Sequence, residues 1–361
     1  MKIVICFDSF KDSISAVDAG QELQEALQKR WPQAQIVNFP LADGGEGSLQ
    51  CLQHNVGAKL DTEMVKGPLG KPHEVQFAKL DQTAVVELAN VSGLQLVPPA
   101  KRNPGQTSTY GLGQLIVKLG NQGFKQIVVA LGGSSSCDGG TGMAAALGYK
   151  FWDAQGRELE PVGDNLVKIA RITESHLPHI AAVAACDVSN PLLGPTGAAA
   201  VYAPQKGATP QQVEHLEAGL ANLAKLIKQK WGRDVTNIAG AGAAGGLAAG
   251  VVAFLNASIV SGAEYFMQKC HFEQEIANAD LLITGEGSLD NQINWGKLVG
   301  KVLEKAGDIP VIAIVGRYPD KSNLEERFQQ IISLEKLSGN KDDSLQYPRK
   351  YLQMAAGMVE V

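Results

Sequence analysis

The sequence predicts an α/β protein of two domains, one of which is built around an open parallel sheet. Three observations lead to this prediction. The chain has 361 residues, and at ~150 residues per domain this length favours two domains. Toward both ends, short apolar runs alternate with segments of helical spacing, as in a parallel sheet covered by helices. Between the ends, the pattern changes to shorter runs and turns, which predicts a second, mixed α/β domain.

The two ends of the chain supply the elements of the first predicted domain. Near the N-terminus, strand, helix, strand and helix are predicted at 3–8, 15–31, 36–40 and 45–55. Toward the C-terminus, strand, helix, strand and strand are predicted at 280–287, 297–305, 310–316 and 331–334. β-Branched apolar runs indicate the strands, and apolar residues three and four positions apart indicate the helices. We therefore assign 1–65 and 276–361 to one discontinuous domain.

Residues 66–275 form the predicted inserted domain. Turn signals at KGPLGKP and LDQT separate short alternating runs between Ala58 and Glu87, which predicts an antiparallel meander. Helix, strand, helix and strand are predicted next, at 108–119, 127–133, 142–147 and 181–186. Pro210–Trp231 carries leucines and an isoleucine on one helical face, which predicts a long amphipathic helix.

Composition excludes several classes of protein. The chain is 45% hydrophobic and 19% charged, so it can build sizeable cores and is not expected to be disordered. Its formal net charge is −5, and without a Lys/Arg cluster a nucleic-acid partner is not expected. The sequence contains no uninterrupted run of ~18 apolar residues, so a membrane span is not expected. The start MKIVICFDSF lacks a secretory pattern, and five scattered cysteines favour free thiols, so we expect a cytoplasmic protein.

Fifteen of the forty glycines bunch into four short segments, and one of these segments predicts a phosphate-binding loop. ALGGSSSCDGGTG follows an apolar strand and precedes a helix, an arrangement that presents backbone N–H groups to an anion. It has neither the Walker A ending nor the dinucleotide fingerprint. Tight packing of strand on helix is the alternative interpretation. The candidate phosphate-binding residues of this segment are Gly132, Gly133, Ser134, Ser135, Asp138 and Gly139.

A second glycine-rich segment, GAGAAGGLAAG at 240–250, allows two interpretations. Its small residues would let a nucleotide lie against the backbone, or they would let a buried helix pack closely on a sheet. The sequence does not decide between them.

The segment TGEGSLDNQINWGK follows the predicted strand at 280–287. Ligands of open α/β sheets bind at the carboxyl ends of strands. Phosphoryl transfer to a hydroxyl needs a carboxylate to accept its proton and cations to hold phosphates. We predict Asp290 as the base, Lys297 as a catalytic cation and Glu286 as a nucleotide contact, with Asp187 as the reserve base. A polar surface loop capped by Asp290 is the alternative.

Acidic residues also follow the first two predicted strands. Asp8, Asp43 and Glu46 are candidate ligands of Mg²⁺, which prefers a few carboxylates together with water and phosphate oxygens. A helix cap at Asp8 and a helix-dipole contact at Glu46 are the alternatives. Ser9 and Lys11 lie next to Asp8 and are candidate substrate-binding residues.

Two further cations are candidates for binding anions. Arg102 stands beside a Pro/Gly turn in KRNPGQTSTYG, and its guanidinium fork would suit the carboxylate of a small substrate. A solvated turn is the alternative. Lys206, in APQKGA, is a candidate phosphate-binding residue.

Taken in order, these segments resemble the bacterial type I glycerate kinase family. The resemblance runs through DSFKDSISA, ADGGEGS, RNPGQTSTYGLGQLI, ALGGSSSCDGGTGM, CDVSNPLLGPTGA, APQKGA, GAGAAGGLAAG and TGEGSLD. The chain departs from the family pattern at Asp12, where glycine is usual, and at Cys137, where asparagine is frequent. It also departs at Ser288-Leu289, in place of Arg-Ile, and at Ile293, in place of threonine.

The resemblance implies ATP-dependent phosphorylation of D-glycerate with Mg²⁺, in glyoxylate and glycerate metabolism. It favours 2-phosphoglycerate over 3-phosphoglycerate as the product, although the residues alone leave both hydroxyls open. It also implies one flavodoxin-like, Rossmann-like domain and one mixed α/β domain, with the active site in the cleft between them. Small-molecule substrates and a homo-oligomer are the expected partners. A dehydrogenase with a non-standard nucleotide loop and a non-enzymatic binding module are the competing hypotheses.

Overall fold

The computed structural model describes residues 1–174, 180–289, 298–318 and 325–360. Its contacts divide the chain into two compact units. The first unit comprises Met1–Asp43, Gly47–Ala58 and Gly262–Val361, and the second comprises Gly44–Glu46 and Lys59–Ser261. The second unit is therefore inserted, in sequence, into the first.

A five-stranded parallel sheet forms the first unit. Numbered along the whole chain, its strands are β1 (Lys2–Phe7), β2 (Gln35–Asn38), β11 (Leu281–Gly285), β12 (Val311–Val315) and β13 (Gln330–Ser333). They lie in the order β13-β12-β11-β1-β2, and every neighbouring pair is parallel. The prediction of one parallel sheet built from both ends of the chain is confirmed.

Eight helices belong to the described part of this unit. They are α1 (Ala16–Arg30), α2 (Ser48–Val56), α9 (Gly262–Lys269), α10 (Phe272–Ile276), α11 (Leu298–Ala306), α12 (Leu334–Ser338), α13 (Lys341–Gln346) and α14 (Pro348–Met358). Ser15 caps α1 by accepting a hydrogen bond from the Asp18 N–H, and Leu23 and Leu27 are buried on its inner face.

The C-terminal tail, for which the sequence analysis assigned no element after 334, completes the core of the first unit. α14 packs against α1, and its residues Tyr351, Leu352 and Ala355 are buried. The Arg30 guanidinium donates to the Ala356 and Val359 carbonyl oxygens at 2.9 and 2.7 Å. The tail is therefore a structural part of this unit.

The second unit contains a six-stranded mixed sheet in the order β10-β9-β6-β5-β4-β3. Its strands are β3 (Lys59–Lys66), β4 (Pro72–Leu80), β5 (Thr83–Glu87), β6 (Gln126–Ala130), β9 (Ala181–Ala185) and β10 (Ser258–Val260). β3, β4 and β5 are antiparallel neighbours, which confirms the predicted meander. β5, β6, β9 and β10 are parallel. A separate antiparallel pair, β7 (Lys150–Trp152) with β8 (Arg171–Thr173), was not predicted.

The helices of the second unit include the long one predicted from periodicity. They are α3 (Leu88–Ser92), α4 (Tyr110–Asn121), α5 (Thr141–Ala146), α6 (Ala198–Tyr202), α7 (Pro210–Trp231) and α8 (Leu247–Leu255). A capping box of Thr209 and Gln212 begins α7, and Gly232 in the left-handed conformation ends it, as expected from helix-capping chemistry. Among the described helices, none is both long and apolar enough to cross a membrane.

The boundaries between the two compact units differ from the predicted domain boundaries. Lys59–Lys66 pairs with β4 along its whole length and belongs to the second unit, whereas the prediction placed the boundary after residue 65. α9 belongs to the first unit, whereas the prediction placed residues up to 275 in the inserted domain. The first difference arises because β3 pairs with β4, the next strand along the chain, which lies within the second unit.

Candidate functional site

Several candidate residues lie at the carboxyl edge of the parallel half of the second sheet. β5, β6, β9 and β10 run in one direction, so their carboxyl ends share one edge. Gly132–Ser134 follows β6, and Asp187 follows β9. The Leu131 N–H donates to the Ala185 carbonyl oxygen at 3.0 Å, which joins these two strand ends. The structure therefore brings the predicted phosphate loop and Asp187 to the same edge.

Hydrogen bonds from distant segments anchor the glycine-rich loop. The Ser135 N–H and Oγ–H both donate to the Ser92 carbonyl oxygen, at 2.9 and 2.8 Å. Thr107 Oγ1 donates to the Ser135 carbonyl oxygen at 2.9 Å, and the Cys137 N–H donates to the Pro104 carbonyl oxygen at 2.9 Å. These hydrogen bonds tie the loop to α3 and to the segment before α4.

The fully buried Asp138 carboxylate lies at the start of α5. It accepts hydrogen bonds from the Thr109 N–H and Oγ1 at 2.8 and 2.7 Å, and from the Gly140 and Gly142 N–H groups at 3.1 and 3.3 Å. Burial raises the pKa of Asp138, and these hydrogen bonds oppose the rise. The anion at this helix start is therefore the protein's own carboxylate.

The predicted phosphate-binding residues of this loop consequently have different surroundings. Asp138, Ser135 and Gly139 are buried, and a side chain at Gly139 would meet Leu223 at 2.6 Å. Gly133 is exposed, with φ of +73°, a value that favours glycine. Gly132 and Gly133 are therefore the more exposed part of the loop, and the buried Ser134 adjoins them.

Lys206 is buried against this loop. Its side chain ammonium donates to Ser134 Oγ at 2.6 Å and to the Ser136 carbonyl oxygen at 2.7 Å. Burial lowers the pKa of Lys206 to about 8, and the electrostatic influence of the acidic groups Cys137 and Asp138 opposes the change. The structure thus joins the predicted Lys206 and Ser134 in one hydrogen-bonded pair.

The lowered pKa of Lys206 predicts a dependence of stability on pH. Between pH about 8 and 10.5, the unfolded chain binds a proton at Lys206 that the folded chain does not. The Lys206 contribution to the free energy of unfolding should therefore rise with pH across this range. Urea unfolding at several pH values should show the wild type gaining stability relative to Lys206→Met. Cys137, whose pKa burial raises to about 12, acts in the opposite direction but is present in both proteins. Parallel pH curves for the two proteins would contradict this prediction.

The second glycine-rich segment packs against the first. The Gly139 N–H donates to the Gly245 carbonyl oxygen at 3.1 Å. Side chains at Gly245 and Gly250 would meet the carbonyl oxygens of Ser136 and Gly139 at 2.1 and 2.5 Å. Close packing of α8 and its preceding turn on the loop therefore explains these glycines, which supports the packing alternative for 240–250.

Glu46 and Arg102 lie in other segments of the same unit. The Gly132 N–H donates to the Gly44 carbonyl oxygen at 3.1 Å, which places the Gly44–Glu46 segment against the loop. Glu46 is exposed. Arg102 is partly buried, with its Nε at 3.5 Å from the Val97 carbonyl oxygen. A side chain at Gly207 would meet the Arg102 carbonyl oxygen at 2.5 Å, so Arg102 packs beside the Lys206 turn.

The first unit gathers a second group of candidates at the carboxyl edge of its own sheet. The chain proceeds from β1 to β2 on one side of the sheet and from β11 to β13 on the other. The strand order therefore reverses between β1 and β11, and ligands of such sheets bind at this reversal. Asp8 follows β1 and Glu286 follows β11, and the Asp8 N–H donates to the Gly285 carbonyl oxygen at 2.9 Å.

Ser9, Lys11 and Asp43 also belong to this first-unit edge. The Ser9 N–H donates to Asp8 Oδ1 at 2.7 Å. Asp43 is partly buried in the segment after β2, and Lys11 is exposed. Asp290 and Lys297, the predicted base and catalytic cation, lie outside the described residues.

Two further polar residues lie at these edges and were not predicted from the sequence. Ser261 follows β10 and donates from Oγ to Asp187 Oδ1 at 2.7 Å. Arg317 follows β12, is exposed, and its N–H donates to the Gly287 carbonyl oxygen at 3.0 Å. The available signal was a polar residue after each short run: Ser261 directly after SIV, and Arg317 one glycine after PVIAIV.

Comparisons with known proteins agree with this architecture. The model of the glycerate kinase family matches residues 3–360. A glycerate kinase of Halalkalibacterium halodurans is 39% identical over 99% of this chain and 97% of its own length. A glycerate 2-kinase of Escherichia coli K12 is 39% identical over 89% of this chain and 86% of its own. A crystal structure from Salmonella typhimurium LT2, assigned as glycerate kinase 2, is 36% identical with a TM-score of 0.82, covering 99% of this chain and 98% of that chain. With near-complete coverage in sequence and in fold, the chain belongs to the glycerate kinase family and is an enzyme of the kinase class.

Proposed function

We propose that the enzyme transfers the γ-phosphoryl group of ATP to a hydroxyl of D-glycerate, giving ADP and phosphoglycerate, with 2-phosphoglycerate favoured. One observation carries the proposal. A chain that matches glycerate kinases along its whole length presents an anchored loop, with an exposed glycine and a buried lysine behind it, at the end of a parallel strand. Preorganised donors of this kind stabilise phosphoryl oxygens without the cost of reorganisation.

The candidate residues divide into three roles. The ATP phosphates are contacted by Gly132, Gly133 and Ser134. The loop that carries them is stabilised from its buried side by Ser135, Asp138 and Gly139. The nucleotide-binding residues also include Lys206 and Glu286. Lys11, Arg102 and Ser9 bind the substrate. Asp290 accepts the hydroxyl proton, with Asp187 as the reserve base and Lys297 as a neighbouring cation.

Mg²⁺ would be held by Asp8, Asp43 and Glu46. Among the described residues, no group of three or more His, Cys, Asp or Glu side chains could hold a metal ion by itself. Mg²⁺ fits nevertheless, because it needs only one or two carboxylates together with water and phosphate oxygens. Asp8 and Asp43 offer such oxygens at the carboxyl edge of the first sheet. When bound, the ion would neutralise charge on the phosphates.

The test is ADP formation from D-glycerate and ATP with Mg²⁺, measured by a coupled assay. The proposal expects ADP release that requires both D-glycerate and the metal, and is lost with EDTA. An NAD(P)H absorbance change without ADP would favour a dehydrogenase, and thermal stabilisation by ligands without turnover would favour a binding module. Phosphorus NMR of the product then separates 2-phosphoglycerate from 3-phosphoglycerate.

Arg102→Ala should weaken the use of glycerate far more than the use of ATP. Loss of a charge-assisted contact costs ~1.5–3 kcal/mol, so the KM for glycerate should rise roughly ten- to a hundred-fold. The KM for ATP should stay within about twofold of the wild type. Arg157→Ala is the matched control, because Arg157 is 76% exposed and paired with Asp153. Equal losses for both substrates would remove Arg102 from the glycerate site.

A further inference from the structure

Ser134 is a buried residue whose hydrogen-bond donors are not used within the described part of the protein. Its exposed fraction is 6%, and its Oγ accepts a hydrogen bond from the Lys206 ammonium at 2.6 Å. A hydroxyl has one hydrogen and two lone pairs, so this contact uses a lone pair and leaves the hydrogen. In the described chain, neither the Ser134 O–H nor its N–H donates to a protein acceptor. A buried donor without an acceptor is costly, which points to an acceptor on a ligand.

The neighbouring hydroxyls differ from Ser134 in this respect. Ser135 Oγ donates to the Ser92 carbonyl oxygen, and Ser136 Oγ donates to Asp138 Oδ1 at 3.4 Å. Thr107 Oγ1 donates to the Ser135 carbonyl oxygen. These three groups stabilise the loop, whereas Ser134 adjoins the exposed Gly133. Ser134 is therefore the hydroxyl of this segment that is placed to meet a ligand.

Lys206 is too enclosed to be a simple surface cation. It is 3% exposed and donates to both Ser134 Oγ and the Ser136 carbonyl oxygen. When an ammonium donates a hydrogen bond to a hydroxyl oxygen, it restricts the rotation of the hydroxyl and polarises the O–H bond. The hydrogen bond that this hydroxyl donates is strengthened as a result. The acidic groups acting on Lys206 are Cys137 and Asp138, both fully buried beneath the loop.

We propose that Ser134 donates its hydroxyl hydrogen to a phosphoryl oxygen of ATP, and that Lys206 is a positioning residue that acts through Ser134. This inference rests on the proposed function, which places ATP at this loop, and it narrows the role of Lys206 from phosphate contact to orientation of Ser134. The affinity of the loop for phosphate then depends on Ser134 and Lys206 acting together.

A double-mutant cycle tests the proposal. ATP with Mg²⁺ is titrated calorimetrically, without glycerate, into the wild type, Ser134→Ala, Lys206→Met and the double variant. Ser134→Ala should weaken ATP binding about tenfold or more. Lys206→Met should weaken it by no more than Ser134→Ala does, and the double variant should match Ser134→Ala within about twofold, because residues that act as one unit are not additive. If the double variant instead loses ATP affinity by the product of the two single losses, Lys206 contacts the phosphates directly and the proposal is wrong. Unchanged ATP binding by Ser134→Ala would also overturn the proposal.

Controls separate affinity from folding. Ser344 is also 6% exposed, and its Oγ donates to the Lys341 carbonyl oxygen in the first unit, so Ser344→Ala should retain wild-type ATP affinity. If Lys206→Met does not fold, ATP affinity of the wild type and Ser134→Ala is compared at pH 7.0 and 9.5. Loss of the Lys206 proton should reduce the difference between them, and a constant difference would overturn the role of Lys206. Glycerate-dependent ADP formation by the wild type is scored separately, so failure of the proposed function remains distinguishable.

Discussion

Asp290→Asn should lower kcat by ~10²–10⁴-fold while ATP binding stays near that of the wild type. The substitution keeps the shape of the side chain but removes the group that would accept the hydroxyl proton during phosphoryl transfer. Asp290 follows β11 by five positions in sequence, in the segment after a strand end where ligands of such sheets bind. Steady-state kinetics with saturating D-glycerate and ATP measure the effect, and calorimetry measures ATP binding.

The reserve base supplies the comparison for this experiment. Asp187 follows β9 and accepts a hydrogen bond from Ser261 Oγ at 2.7 Å. If Asp290→Asn retains more than about a tenth of the wild-type kcat, it falls outside the range for a general base. Asp187→Asn should then show the large loss instead. Small losses in both variants would indicate transfer without a base, which a loose transition state permits.

Asp138→Asn should destabilise the second unit by about 3 kcal/mol or more. Backbone N–H groups donate to both carboxylate oxygens, Gly140 to Oδ1 and Thr109 and Gly142 to Oδ2. An amide NH₂ in place of either oxygen would face a donor, and each buried group left without a partner costs ~1–3 kcal/mol. Urea denaturation followed by circular dichroism measures the change in the free energy of unfolding.

Asp234→Asn is the matched control for Asp138→Asn. Asp234 also accepts hydrogen bonds from a threonine, Thr236, and pairs with Lys228, but its side chain is 43% exposed. Water replaces lost partners at such a site, so the cost should stay below ~1 kcal/mol. Similar losses in the two variants would show that burial of Asp138 does not decide its contribution.

Elements with strong local patterns were predictable along most of the chain. The periodic apolar residues of α7 and its Pro210 start predicted both ends of that helix, and the turn signals predicted the meander of β3 to β5. β10 and the β7–β8 pair have three residues per strand, and such short runs carry little periodic signal. They form because neighbouring strands supply their hydrogen bonds.

The sequence by itself determined the fold class, the parallel sheet shared by the chain ends and the family, because apolar periodicity and ordered motifs are local properties. It also singled out the glycine-rich loop at the end of β6. Only the tertiary structure decided how that loop uses its polar groups. Asp138 meets Thr109 across 29 positions, and Lys206 meets Ser134 across 72. Because such partners come together only through packing of distant segments, the sequence could not distinguish Asp138 and Ser135, which are enclosed, from Gly133, which is exposed.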